Sequence, residues 1–511
     1  MRPPARGSCS LLGVPFNVCA VRKAPSPIGQ SSTTSERSWR KHSVRPPLNN
    51  WRMTLPAKTC VDLGLLSHAL RLVMMCTIAV HGIGCAFAQR IQPLPRQALN
   101  ASTAMVLTSF EGTSGPGYKD HPDTSGGVGP DHIVDFVGSA FTVRDKTTGT
   151  VLEQMSQTDF WASAGLTPGT LNDPRIIYDP IMGRWLAVTA GPFDLLAISA
   201  DSDPTHAWKG VTLSTAVSGD LLPRIGIDAN GVYVCSYGGS SNTICFAIPQ
   251  SDLQWVGTSD PLLNRMVTFR SLPFEMMPAI DLNAGKAITA PEILLTRKSP
   301  QTGIGVPVTL LMKQVTWAGG IAKISPTITT PTSLTFTTPA TAAQPGGPPI
   351  KGKEDHRFLD VFASGNSVFA ALGSEIGGRI GMEWFEVDAG SGALVQSGIL
   401  ADPTYDILFP TITADSNGNV AVGFTQSSAT EFPSVAIVSR GPTDAPGTLG
   451  DPVVVAPGTS SYFCTLKPVG WGTYSTTIQD PVNPLILWTY QEYGNSNIAC
   501  QWSTRWVSFS L

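Results

Sequence analysis

Three arginines stand at one repeated place in this chain. Arg175, Arg224 and Arg357 each open a short apolar run, in NDPRIIYDPIMGRWLAV (Asn172–Val188), PRIGIDANGVYVCSY (Pro223–Tyr237) and HRFLDVFASGNSVFAAL (His356–Leu372). A guanidinium presents five N–H donors in a planar fork, so three of them brought to one point can clamp a carboxylate through paired bonds. Asp173 and Asp355 stand two residues before two of these arginines, and Tyr474 opens another run of the same kind. Asp173, Asp355 and Tyr474 are therefore the candidate catalytic groups, and Arg175, Arg224 and Arg357 the candidate ligand-binding groups. A purely structural role is equally open to them, each pairing with neighbours so that no buried polar group is left unsatisfied.

Such residues act together only if a fold brings them together. Each run is half of a tight hairpin, with an Asp near the turn, a Gly, and a second apolar run. Three more copies are PAIDLNAGKAITA (Pro278–Ala290), PTITADSNGNVAVGF (Pro410–Phe424) and YSTTIQDPVNPLILWTY (Tyr474–Tyr490). The steps between their turn-side aspartates are 49 (Asp179 to Asp228), 53 (to Asp281), 79 (to Asp360), 55 (to Asp415) and 65 (to Asp480). Periods of this size hold four short strands, the unit of a β-propeller blade. Two packed β-sandwiches would also give short strands and turn signals, but not one fixed place for Asp and Gly in every copy. The sequence predicts an all-β, six- or seven-bladed β-propeller over residues 132–511. Equivalent inner-strand starts then meet at one mouth of the central channel. The hairpin Ile133–Leu152 is expected to complete a blade begun by the C-terminal strand WVSFSL and so remove the free edge. The long step of 79 contains a Thr/Pro/Gly stretch, 324–352, read as an exposed excursion between blades. Residues 89–131 read as a loop-like N-terminal segment.

Composition agrees with many short strands: charged residues are 14% of 511, with 50 Gly and 42 Pro, and no long helical period appears. The first 88 residues carry 11 Lys or Arg against 2 Asp or Glu; the rest carry 23 against 35, a net of −12. That balance repels nucleic acid and anionic membrane surfaces, which are set aside as partners.

Residues 1–88 read as a leader outside the fold followed by an export signal. The Arg/Ser/Pro-rich first 52 are either a disordered leader or the product of a start assigned too early, with Met53 as the alternative start. Lys58 and Arg71, an apolar core over 72–85, and Ala86-Phe87-Ala88 before Gln89 give the charge, core and small-x-small cleavage site of a signal peptide. The apolar core is too short for a membrane span. Cys85 as a lipidation site is disfavoured because Gly82 stands where that motif wants a bulky aliphatic. Five cysteines fall in this lost part. The other four form two expected disulfides: Cys235 with Cys245, on the two strands of one hairpin, and Cys464 with Cys500 near the end of the chain.

NDPRIIYDPIMGRWLAV, together with WGTYSTTIQDPVNPLILWTYQEY and CQWSTR near the C-terminus, resembles secreted bacterial proteins with sialidase-like, BNR-type propellers. The resemblance covers roughly Asp131 to Leu511. It implies a propeller and, for a sialidase-type member, a glycoside hydrolase in which a tyrosine nucleophile and an Arg cluster act on an acidic sugar. This chain departs from the family pattern. The strict Ser-x-Asp-x-Gly-x-x-Trp box is absent, with only Asp179, Gly183 and Trp185 retained, and Thr473 stands between Gly472 and Tyr474 where relatives often have Asp. Fold likeness does not transfer activity.

Other motifs say less. DSNGN (Asp415–Asn419) has the oxygen-rich look of a calcium loop but lacks the later bidentate Glu and suits an Asn-Gly hairpin turn better, so no cofactor is expected. No metal spacing of His, phosphate loop or nucleophile elbow is present. The reading is a secreted, monomeric propeller that binds a glycan or an extracellular protein; a sialidase-like hydrolase and a surface adhesion module are the alternatives.

Overall fold

In the computed structural model, residues 104–511 are described, apart from 117–120, 214–221, 238–241, 256, 258, 262, 284–289, 299–301, 353–355 and 466–467. The leader, the signal segment and Asp355 lie outside the described residues. Seven radial sheets follow one another along the chain, over 126–156, 172–212, 224–272, 277–336, 361–400, 406–456 and 476–510. This is a seven-bladed β-propeller. Blade strands are buried on both faces, as in Val420–Ser427 and Leu487–Tyr493, because each blade packs against two neighbours.

The ring closes differently from the expected way. The hairpin at 132–145 belongs to the first blade, and the last blade is completed by β1 (Met105–Glu111), which pairs antiparallel with the C-terminal strand: Val106 opposite Phe509, Phe110 opposite Trp506. The segment read as loop-like therefore carries strands at 105–111, 115–116 and 126–128. β1 has no alternating apolar signature in the sequence because it is an outermost strand whose Met105, Val106 and Leu107 stay exposed.

The inner strands, in chain order, are β2 (Gly126–Val128), β3 (Asn172–Asp179), β4 (Arg224–Ile227), β5 (Met277–Ile280), β6 (Val361–Ser364), β7 (Asp406–Ala414) and β8 (Thr476–Gln479). Neighbours β4 and β5 pair in parallel at Ile227 and Ile280, and β5 pairs with β6 at Ala279 and Val361. A side chain at Gly226 would place its Cβ 2.4 Å from the Ala279 carbonyl oxygen, so this close approach requires glycine. The channel-facing ends share a second device. Asp123, Asp173, Glu275, Phe409 and Thr473 hold left-handed backbone, φ between 51° and 59°, each just before or within the first residues of an inner strand. In β3 and β7 the register slips beside these residues, between Asn172 and Arg175 and between Leu408 and Thr411. A bulge here turns the next side chain inward.

At the opposite ends the repeated aspartates close the hairpins. Asp179 Oδ1 accepts the N–H groups of Ile181 and Met182, Asp228 Oδ1 those of Asn230 and Gly231, Asp415 Oδ1 those of Asn417 and Asn419, and Asp480 Oδ1 those of Val482 and Asn483. These are side-chain turns of the Asx kind. Asp360 is not one of them. It precedes β6, at the channel-mouth end, and its blade turns through Ser364 and Ser367 instead.

The stretch 324–352 is not an exposed excursion. Ile328–Phe336 is an outer strand of the fourth blade, and Phe336 is fully buried. The rest is tied down: Ser427 Oγ donates to the Ala343 carbonyl, Gln344 Nε2 to that of Tyr462, and Lys351 N to that of Val469. Alternating Thr and Pro conceal a strand with only one apolar side.

Cys235 and Cys245 are directly opposite across their hairpin, and both disulfides form as paired above. The second one closes a 36-residue loop, a constraint worth about 3–4 kcal/mol in the chain-entropy account. Replacing Cys464 and Cys500 together by Ser is expected to lower the unfolding free energy by roughly that amount. Non-reducing peptide mapping should return both pairs; four free thiols would contradict the pairing.

Candidate functional site

The inner-strand starts do bring the predicted residues together. Arg175, delivered by the bulge in β3, lies over the ring of Tyr474, its Cζ 3.6 Å from the ring centroid. Arg224, the first residue of β4, is at 4.6 Å, and Arg357, from the chain leading into β6, at 5.9 Å. Tyr474 itself follows two left-handed residues, Gly472 and Thr473, that swing it inward ahead of β8. Its hydroxyl donates to Asp173 Oδ1 at 2.9 Å. Of the predicted residues, Asp173, Arg175, Arg224, Arg357 and Tyr474 thus form one cluster. All five are buried, Tyr474 without any exposed surface and the arginines at 4%, 3% and 7%.

Several partners had no local signal in the sequence. Arg357 Nη1 donates to the Tyr237 hydroxyl at 3.1 Å, and that hydroxyl donates to Glu275 Oε1 at 3.2 Å. His356 Nε2 lies 3.9 Å from the same Glu275 oxygen, and Arg297 Nε donates to the His356 carbonyl. Glu275 is one of the left-handed residues, and Tyr237 lies two residues beyond Cys235. Both meet Arg357 only through long-range packing. Asp360, taken from its sequence as a turn residue, stands instead beside Arg175 and Arg224.

Burial governs the charges. It lowers Arg175 to about 10, helped by repulsion from Arg224 and opposed by Asp360, Tyr474 and Asp173. Burial also works against the charge on Arg357, but Tyr237, Tyr474 and Glu275 hold it above the usual value. Tyr474 is raised, first by burial and then by the adjacent Asp173 carboxylate, with the three guanidiniums pulling the other way. It is a neutral phenol whose proton is already committed to Asp173. Asp360 is raised to about 6 by burial, against the attraction of Arg175 and Arg224.

Between Arg175, Arg224, Asp360, Ser125 and Thr476 there is a cavity of ≈ 20 Å³, room for one or two water-sized guests. Small-molecule sites enclose roughly 300 Å³ or more. Among the described residues, then, the arginines converge on a tyrosine ring instead of an open sugar-sized pocket. The arrangement is a cation–π core with carboxylates at its edge.

No family model and no curated protein matches this chain. Solved structures similar to it include Drosophila Semaphorin 1b, extracellular domains 1-2 (8% identity, 81% of this chain and 88% of that one, TM-score 0.37). Another is the Dos1 propeller (8%, 80% and 95%, TM-score 0.37). A third is a subtype N10 neuraminidase-like protein of A/little yellow-shouldered bat/Guatemala/060/2010 (8%, 63% and 96%, TM-score 0.34). Likeness at this level speaks to neither activity nor ligand, and the propeller assignment rests on the strand pairings above.

Two stability measurements probe the cluster. Tyr474→Phe, which keeps the ring, is expected to lower the unfolding free energy by about 1–2 kcal/mol, and Tyr474→Ala by about 3–5 kcal/mol; equal losses would mean that the stacking contributes nothing. Asp360 titrates higher folded than unfolded, so its favourable protonated state is fully present below about pH 4 and lost as pH rises through about 6. Asp360→Asn should therefore gain stability above that window, on the order of 1 kcal/mol for a half-buried group, and gain nothing below it. A gain independent of pH would contradict the assignment.

Proposed function

We propose that this chain is an exported β-propeller that binds a glycan or a protein at the cell exterior and does not use its Arg/Tyr cluster for catalysis. One observation carries the reading: the residue best placed to be a nucleophile, Tyr474, has no exposed surface. Its hydroxyl is committed to Asp173 and its ring is covered by guanidinium groups. A nucleophile must reach the reacting carbon, and a general acid must lie within hydrogen-bond reach of the leaving group. Binding is then left to the outer surfaces of the blades and their loops, where propellers have the largest free area. The two disulfides are compatible with an extracellular protein, and no described helix is long and apolar enough to cross a membrane.

The second reading, a sialidase-like glycoside hydrolase acting on an acidic sugar, is favoured by one specific observation. Three arginines, a tyrosine and an aspartate from four blades do share one centre, the equipment that a tyrosine-nucleophile mechanism requires. A glycan array combined with a fluorogenic sialoside assay on the full-length protein separates the two. The binding reading expects array or cell-surface binding that survives Tyr474→Phe, with no sialoside turnover above buffer. Turnover abolished by Tyr474→Phe in a protein that still folds would overturn it in favour of the hydrolase.

A further inference from the structure

The cavity beside the cluster has an imbalance of hydrogen-bonding groups. Arg175 Nε and Nη2 and Arg224 Nε are buried and have no hydrogen-bond partner. Arg175 and Arg224 are both lining residues of the cavity. Ser125 and Thr476 line it too, and each hydroxyl already accepts a backbone N–H, from Ile176 and from Gly126. Their hydroxyl protons are thus free to turn inward. The remaining lining is apolar, from Ile176, Ile225, Pro278 and their neighbours, with Asp360 the one charged acceptor. Donors without acceptors are costly in such a place, at about 1–3 kcal/mol for each group left unsatisfied and more where the group is charged.

We propose that the space between Arg175 and Arg224 is a halide site, which takes one chloride-sized anion when Asp360 gives up its charge. A water molecule accepts about two hydrogen bonds and brings two more donors, so it relieves the imbalance only in part. A halide accepts from all sides and donates nothing. Size favours a small anion: a cavity with room for one or two water-sized guests takes a monatomic ion and excludes a carboxylated sugar. The anion and the Asp360 carboxylate compete for the same two guanidiniums, Arg175 from β3 and Arg224 from β4. The other charged and hydroxyl groups of the cluster are Tyr474 with Asp173, and Arg357 with Tyr237 and Glu275. Asp173 and Glu275 keep their own hydroxyl partners in either state. Asp360 is the carboxylate that lines the cavity, so its proton sets the occupancy. The site goes beyond the binding role proposed above and does not depend on it.

The test is thermal unfolding of the full-length protein, with chloride titrated against gluconate at constant ionic strength. With Asp360 near 6, the fraction competent to bind falls from about nine-tenths at pH ~5 to about three-hundredths at pH ~7.5, so the apparent chloride affinity should be roughly thirtyfold tighter at the lower pH. Asp360→Asn should bind chloride equally at both pH values. Diffraction from crystals soaked in bromide should show an anomalous peak between Arg175 and Arg224 at the lower pH, an observation that needs no variant. Stabilisation indifferent to the choice of anion, or an empty bromide map at that place, would overturn the proposal. So would a pH dependence that survives Asp360→Asn.

Discussion

Charge buried without water is the condition this propeller has to meet. Arg175, Arg224 and Arg357 are each more than nine-tenths buried, and removing an ion from water costs several kcal/mol even after the surroundings relax. One phenol ring is what all three share. A guanidinium over an aromatic face, away from solvent, regains about 2 kcal/mol or more, and the Asp173, Asp360 and Glu275 carboxylates supply opposing charge. Burial first, and then repulsion from Arg224, hold Arg175 less firmly protonated than an arginine in water, and that repulsion limits the arrangement. The ring cannot be moved without exposing that repulsion.

The rest of the architecture can be understood from this centre outward. Side chains reach the axis because the backbone turns left-handed at Asp173, Glu275 and Thr473 just before the inner strands, a conformation that costs about 1–2 kcal/mol at a non-glycine residue. The blades must then stay in register over the full ring, or the starts of β3, β4, β6 and β8 would not meet. Parallel pairing from β4 through β5 to β6, the closing strand β1 and the two disulfides all serve that register. The buried Asp135 adds to it. It accepts hydrogen bonds from Arg144 in its own blade, from Thr113 after β1 and from Trp506 in the last blade, and so joins the two ends of the ring.

What was legible in the sequence was what repeats locally. The turn aspartates Asp179, Asp228, Asp415 and Asp480 mark one end of their hairpins because each needs only the next few N–H groups. Arg175 and Arg224 were legible because each stands four residues before its turn aspartate, whereas Arg357 precedes its inner strand and reaches the cluster from the chain leading into it. Cys235 and Cys245 could be paired because cross-strand neighbours follow from hairpin register. Long-range geometry was not legible. Asp360 sits near a Gly and an apolar run like the turn aspartates, yet lies at the other end of its strand. Tyr237 and Glu275 meet Arg357 across blades. β1 looks like a loop because an outermost strand has little apolar pattern, and the stretch ending at Phe336 looks like a linker because Thr and Pro fill its outer side. The same arginines and tyrosine also support opposite functional readings, since residue types reveal a cluster but not the room inside it.

The coupling between Arg175 and Tyr474 is the most direct measure of this account. A double-mutant cycle with Arg175→Met and Tyr474→Leu, followed by urea unfolding, isolates their interaction from the separate losses of charge and volume. The expected result is a favourable coupling of about 2 kcal/mol or more, the range of a desolvated cation–π contact. Additive losses within about 0.3 kcal/mol would contradict it, and would reduce the stacked ring to one more core side chain.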